Sequence, residues 1–250
     1  MIYHTSEVAK LVGLHPNTIR RYEEWELIPK PQRAANGYRI FTQYHIELIR
    51  LAQVAFQIEV LQSGLRRKMV DVIKALALYD FNLARQLILD YQYLANQEIA
   101  QAHEAIEIVE AIIRPEADEN TQPPLTRSEA ADYLEVTVDA LRNWELNGLL
   151  MVKRRTNRYR IYNQEDLKRL KIIRTLRGAN YSLEAILRLL LTMDQKRVSS
   201  IKEVLNTPEP DEDIIAVCDQ LLTSLEQAKK NAEDIMQRID HLEETAKITH

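Results

Sequence analysis

Apolar side chains recur at steps of three and four on either side of Gly13 between residues 6 and 28, and the same rhythm returns around Glu135 between residues 128 and 150. Such spacing puts one apolar stripe on each of two short helices joined by a tight turn. The stretches superimpose on a shift of about 122 residues, which sets Leu11, Val12, Leu14, Ile19, Tyr22, Leu27 and Ile28 opposite Tyr133, Leu134, Val136, Leu141, Trp144, Leu149 and Leu150. Pro16 suits the first turn of the second helix, where its missing amide hydrogen costs nothing. That helix is therefore expected over 16–25, and its counterpart over 138–147. Thr126 and Glu129 have the T-x-x-E spacing of a capping box, with His4 replacing the threonine in the first copy.

A matched phrase succeeds each helix pair: "NGYRIF" at 36–41 and "NRYRIY" at 157–162. Asn36 and Gly37 predict a two-residue hairpin turn with positive backbone angles, and the hairpin forms a wing. Arg158 takes the glycine position in the second copy, so a distorted or longer turn is expected there. Alternation would turn Tyr38 and Ile40 to one face and Arg39 and Phe41 to the other.

Two further stretches carry a heptad rhythm. Ala95, Ile99, Ala102, Ile106, Val109 and Ile113 form one seam, and Cys218, Leu221, Leu225, Ala228, Ala232, Ile235, Ile239 and Leu242 form the other. They predict helices on the order of 33 and 49 Å long. The acidic, proline-bearing "PEADENTQPPL" at 115–125 reads as a linker between the two halves.

Composition narrows the class. Five glycines and eight prolines in 250 residues agree with a mostly helical chain. A single cysteine, Cys218, excludes an intrachain disulfide and points to a reducing cytoplasm. No signal peptide or membrane-length apolar run is legible, so neither export nor a membrane partner is expected. The net charge of −4 is unevenly spread: residues 1–75 come to +4 and 126–178 to +5, while 76–125 and 179–250 come to −7 and −6. Basic modules alternating with acidic ones fit two patches meeting a polyanion.

The stretches "SEVAKLVGLHPNTIRRYE…LIPKPQRAANGYRIF" and "TRSEAADYLEVTVDALRNWELNGLL…NRYRIY" both resemble the DNA-binding head of the MerR family of transcription regulators. "LKRLKIIRTLRGANYSLEAILRLL" at 167–190 resembles the family's next two helices. The first copy departs from the pattern at Glu26, where the family usually has the helix-ending glycine that the second keeps as Gly148.

The implied fold class is mostly α. It comprises two winged helix-turn-helix domains, each with a small β-hairpin wing, and long helices forming an antiparallel coiled coil. In chain order this gives a first head over 1–75, a connector and first coiled-coil helix over 76–114, and the linker over 115–125. A second head with its following helices covers 126–206, and the second coiled-coil helix 207–250. Family members usually pair as homodimers through such helices. This chain holds both halves, so a monomeric pseudo-dimer is expected, with a four-headed homodimer as the alternative.

The resemblance implies double-stranded DNA as partner and RNA polymerase as a further one. On the recognition helices the candidate base readers are His15, Asn17, Thr18 and Arg21 in one head, and Thr137, Asp139, Ala140 and Asn143 in the other. Asparagine suits adenine and arginine guanine, whereas Asp139 can only accept, so unlike half-sites are expected. Asp139 reads equally as a helix N-terminal charge. Arg20, Arg142, Arg39 and Arg160 recur in both copies and are assigned to phosphates, and Arg33, Arg154, Arg155 and Arg158 are further candidate DNA contacts. Tyr38 and Tyr159 are weaker wing contacts, while Tyr22 and Trp144 fit a packing role better.

Tyr79, Phe81, Tyr91 and Tyr93 could line a pocket for a lipophilic or cationic effector of unknown identity, or simply fill a helical core. Cys218 lacks a nearby Cys or His, so no metal site and no cofactor is expected. No nucleophile with a base stands at a recognisable spacing, and an enzyme is not expected. The reading is a cytoplasmic regulator that grips an asymmetric pseudo-palindromic operator and bends or untwists promoter DNA. An architectural, excisionase-like DNA bender is the alternative, and a ligand or protein sensor with degenerate heads the third.

Overall fold

The computed structural model describes residues 2–57, 64–114, 123–151, 160–195, 200–207 and 220–249. Eleven helices and four two-residue strands are present among them, and no described helix is long and apolar enough to cross a membrane. The chain divides into two compact units, Met1–Gln97 with Leu225–His250, and Glu98–Ser224.

In the first unit α1 (Thr5–Val12) and α2 (Pro16–Glu24) form the helix-turn-helix, and Val8, Ile19 and Leu27 are buried in the core of this head. The backbone amide of His4 donates to Glu7 Oε2 at 2.7 Å, so the histidine tolerates the capping position that threonine fills in the second copy. Strands β1 (Gln32–Arg33) and β2 (Arg39–Ile40) pair antiparallel, Gln32 opposite Ile40 and Arg33 opposite Arg39. The turn differs from the two-residue form expected: Gly37 N donates to Ala34 O and Ala34 N to Tyr38 O, which leaves three residues in the loop. Only Gly37 is left-handed there, at φ +81°, while the Asn36 side chain accepts from Tyr38 N at 3.2 Å. A three-residue loop of this kind needs a single positive angle, which glycine supplies. Helices α3 (Gln43–Ala55) and α4 (Leu65–Ala77) pack behind, with Tyr44, Leu48, Met69 and Leu76 at the core and the Tyr44 hydroxyl donating to Leu76 O at 2.6 Å.

The second unit repeats the plan. β3 (Leu125–Thr126) pairs antiparallel with β4 (Ile161–Tyr162), matching the Tyr3–Phe41 bridge of the first head. α6 (Arg127–Tyr133) opens on the expected capping box, Thr126 N donating to Glu129 Oε2 at 2.7 Å, and α7 (Val138–Leu146) comes next. α8 (Gln164–Gly178), α9 (Leu183–Asp194) and α10 (Ile201–Asn206) complete its core around Leu170, Ile173, Ile186 and Leu205.

Two αL positions recur with their residues exchanged. Gly13 (φ +69°) and Glu26 (φ +59°) punctuate the first head, and at the same places Glu135 (φ +51°) and Gly148 (φ +76°) punctuate the second. Each head therefore places one glutamate where glycine is the unstrained choice. Matched apolar letters do not all mean core: Leu11 is 47% and Tyr133 42% exposed, with Lys171 Nζ 5.2 Å from the Tyr133 ring centre.

The long helices depart from the sequential segment order. α5 (Phe81–Ile113) begins well before the predicted seam; its residues up to Gln97 belong to the first unit and the rest to the second. α11 (Leu221–Thr249) comes after the second head in sequence, yet from Leu225 onward it belongs to the first unit. There Asn231 Nδ2 donates to Val54 O of α3 at 3.1 Å, Thr245 Oγ1 to Glu47 Oε2 at 3.1 Å, and Arg85 of α5 to Asp240 and Glu243, both at 2.7 Å. In the second unit Asn180, after α8, donates to Glu98 of α5 at 2.9 Å. The described residues of the C-terminal seam, from Leu221 to Leu242, are all buried; in the other, Ala95, Ala102, Ile106 and Val109 are buried and Ile99 and Ile113 half-buried. Cys218, and the linker apart from residues 123–125, lie outside the described residues.

Candidate nucleic-acid interface

The N-terminal turn of α2 sets the first head's exposed face. His15 is the N-cap, and its Nδ1 accepts from Asn17 N at 3.2 Å, which leaves Nε2 as the ring nitrogen able to donate outward. Asn17 Oδ1 accepts from Arg20 Nη1 at 2.8 Å, so these two candidates orient each other. Asn17, Arg20 and Arg21 are exposed, Thr18 half-exposed, and Ile19 and Tyr22 are buried on the opposite face.

The wing closes an open cleft of about 560 Å³ beside this helix, lined by His4, Thr5, Ser6, Pro16, Arg20, Asn36, Tyr38 and Arg39. Three predicted contact residues, Arg20, Tyr38 and Arg39, thus come together, and Tyr38 is 66% exposed. His4, Ser6 and Asn36 are additions that the sequence does not single out as site residues. A matched capping position and a turn asparagine are the only signals for them. Arg33 Nη1 donates to Gly37 O at 3.2 Å and so braces the hairpin as well as facing solvent.

Arg39 does more than face outward. Its Nε is hydrogen-bonded to Glu23 Oε2 of α2, and Arg33 Nη2 lies 3.8 Å from the same carboxylate. His45, buried beside the wing, takes Thr42 N on Nδ1 at 3.1 Å and sets Nε2 3.2 Å from Pro29 O, with Phe41 edge-on at 5.5 Å. Burial pulls its pKa down to about 4, against the opposing pull of the Pro29 carbonyl and the Glu23 charge.

The second head repeats the geometry with different chemistry. Thr137 is the N-cap of α7, its hydroxyl accepting from Ala140 N at 3.1 Å, and Asp139 sits in the exposed first turn, where a negative charge favours the helix dipole. Arg142 and Asn143 are exposed, and Asn143 accepts from the Asn147 side chain. Glu145, with a side chain only 5% exposed, occupies the repeat position of Glu23. It takes Arg160 Nη1 at 2.9 Å, Arg127 Nη2 at 2.6 Å and the Tyr162 hydroxyl. Burial, and then the Glu145 carboxylate, push that hydroxyl up to about 12. Arg154, Arg155, Arg158 and Tyr159 lie outside the described residues.

The four aromatic effector candidates do not share one surrounding. Tyr79 and Phe81 both pack on Tyr44, at 4.7 and 6.5 Å between ring centres, while Tyr91 is 4% and Tyr93 64% exposed. The plainer core reading therefore fits Tyr79, Phe81 and Tyr91. Among the described residues no three His, Cys, Asp or Glu side chains are grouped to hold a metal ion.

Comparison with known proteins agrees with the repeat. Residues 4–41 match the model of the MerR family regulatory protein, and residues 125–192 that of the MerR HTH family regulatory protein. The HTH-type transcriptional regulator CueR of Escherichia coli O6:H1 is 48% identical over 63 residues, 24% of this chain and 45% of that protein. CueR of Vibrio cholerae is 40% identical over 58 residues, 22% of this chain and 42% of its own length. The mercuric resistance operon regulatory protein of Bacillus cereus is 29% identical over 89 residues, 34% of this chain and 67% of that protein. The chain thus spans less than half of the CueR proteins it matches, 45% in the Escherichia coli case. No solved structure matches it. Two family matches on two copies of one winged helix-turn-helix plan place the chain in the MerR family, as a member that carries two of the family's heads in tandem.

Proposed function

We propose that the protein is a transcription regulator that binds double-stranded DNA through both heads. The carrying observation is the cleft of the first head, where Arg20, Tyr38 and Arg39 meet beside an exposed recognition helix whose first turn bears His15, Asn17, Thr18 and Arg21. Cations at the rim suit phosphate contacts that set register, and the amide, imidazole and guanidinium groups of the helix suit base edges in the major groove. In the second head Arg142 takes the phosphate role, and Thr137, Asp139 and Asn143 replace the readers, so the preferred half-sites differ. The wing residues Arg33, Arg154, Arg155, Arg158, Tyr159 and Arg160 extend the contacts to the backbone.

The exchange of long helices supports a single-chain pseudo-dimer. α11 comes after the second head but bonds to α3 of the first through Asn231 and Thr245, and α5 comes after the first head but meets the second through Glu98. Covalent linkage raises the effective concentration of whichever head binds second. Bending a site by 40 to 90° costs on the order of 1 to 6 kcal/mol, which phosphate contacts at both heads would offset. Selection of bound duplexes from a random pool tests this reading. Two unlike enriched half-sites at a fixed spacing are expected, and a pool with no enriched motif would overturn it. Light scattering at micromolar concentration tests the assembly, with one chain per particle expected.

A further inference from the structure

Both heads set a carboxylate of the recognition helix against an arginine of the wing. Glu23 holds Arg39, and Glu145 holds Arg160. The pairs occupy equivalent repeat positions although the surrounding residues differ: Phe41 in the first head stands where Tyr162 stands in the second. The carboxylates are the more buried partners, their side chains 12% and 5% exposed against 23% and 31% for the arginines. Arg39 spends Nε on Glu23, and its Nη1 and Nη2 have no partner among the described residues. The same arginine lines the cleft with Arg20 and Tyr38.

We infer that Glu23 and Glu145 are positioning residues, each holding one edge of a wing guanidinium so that the remaining nitrogens face the DNA backbone. The inference rests on the DNA-binding reading above. Guanidinium geometry makes this division possible, because five donors lie in one plane and a carboxylate on one edge leaves the other edge for a phosphate. Arginine loses substantial rotamer freedom on binding, and a side chain already clamped loses less of it at the moment of contact. Partial burial also shields the pair from salt, so the clamp persists at ionic strengths that weaken the phosphate contact. The glutamate therefore organises the positive charge without contacting DNA itself.

The test uses the full chain, a duplex enriched by the unsubstituted protein, and a random-sequence duplex of equal length. Glu23→Gln is expected to weaken binding of both duplexes by about tenfold and to lower the slope of log affinity against log salt by about one, as loss of one phosphate contact does. Glu145→Gln is expected to do the same for the second head. Glu23→Asp retracts the carboxylate and should not rescue. Combined with Arg39→Ala, Glu23→Gln should add nothing further. A merely structural role would lower stability and leave the salt slope unchanged. The Nε–H resonance of Arg39, protected from exchange in the unsubstituted protein and lost in Glu23→Gln, reads the clamp without DNA. Unchanged affinity and slope in Glu23→Gln would overturn the inference alone, whereas absence of duplex binding by the unsubstituted chain would remove the DNA reading together with it.

Discussion

Arg160 Nη1 lies 2.9 Å from a carboxylate oxygen of Glu145, joining the wing of the second head to its recognition helix. Arg127 reaches the same carboxylate at 2.6 Å, and the three side chains are between 5% and 31% exposed. Removing the acid would leave two guanidinium groups facing each other with little water to separate them. Glu145→Ala is therefore expected to destabilise the second head by about 2 kcal/mol, below the roughly 3 to 5 kcal/mol of a fully buried pair because both arginines keep some solvent contact. Denaturant unfolding of the variant measures it, and a change below about 0.5 kcal/mol would mean that water already screens the cluster.

The exchanged αL positions predict gains rather than losses. Glu26 (φ +59°) and Glu135 (φ +51°) sit where the other head has glycine. Their ion pairs, Lys74 at 3.3 Å and Arg174 at 2.7 Å, involve carboxylates that are 82% and 79% exposed, so little is lost with them. Glu26→Gly and Glu135→Gly are each expected to stabilise their head by about 1 kcal/mol. Gly13→Ala and Gly148→Ala should cost about as much. No heavy atom stands within 4 Å of the Cβ either would add, so the penalty is one of backbone conformation alone. Thermal unfolding of the four variants checks the pairwise symmetry.

The limits of sequence reading are physical. The helix-turn-helix pair and the wing are legible because apolar positions repeat locally, at helical and then strand spacing. The two glutamates are equally visible as matched acids, but an acid at position 23 and a base at position 39 say nothing of each other until the hairpin folds back. The turn at Asn36 and Gly37 departs from the two-residue expectation because the dipeptide fits both a two-residue turn and a longer loop, and the register set by Gln32 and Ile40 decides between them. The seam from Leu221 to Leu242 marks which face of α11 is apolar. What covers that face is a tertiary fact, and Asn231 and Thr245, the polar residues that dock it on α3, fall outside the heptad pattern.

His45 ties stability of the first head to pH. Its pKa falls to about 4 in the folded chain from 6.5, chiefly because burial disfavours the charged ring. Between those values the unfolded chain binds the proton and the folded chain does not, so stability is lost as pH falls from 6.5 toward 4 and is flat above that window. The loss attributable to this residue is roughly 3 kcal/mol. Unfolding free energy measured from about pH 4 to about pH 8 should show that slope, and His45→Gln, which cannot titrate, should remove it. The second head has Asp166 in place of the histidine, accepting from Asn163 N at 3.0 Å.

The docking of α11 makes the most direct prediction about chain organisation. Leu225, Ala228, Ala232, Ile235 and Ile239 are buried, and Asn231 and Thr245 bond to α3 of the first head. If sequence order governed stability, removing residues 225–250 would loosen the second head, which directly precedes them. The observed contacts predict the reverse. Truncation after Ser224 should uncover the face of α3 that carries Glu47 and Val54 and lose the two acids that hold Arg85. Hydrogen exchange reads the difference by element: amides of α3 and the N-terminal half of α5 should exchange at least roughly tenfold faster, and those of α8 and α9 at nearly their original rate, because protection follows local opening. A narrower variant, Asn231→Ala, removes the hydrogen bond to the Val54 carbonyl and is expected to cost about 1 kcal/mol. Its effect should again be confined to the first head, since none of its partners belongs to the second.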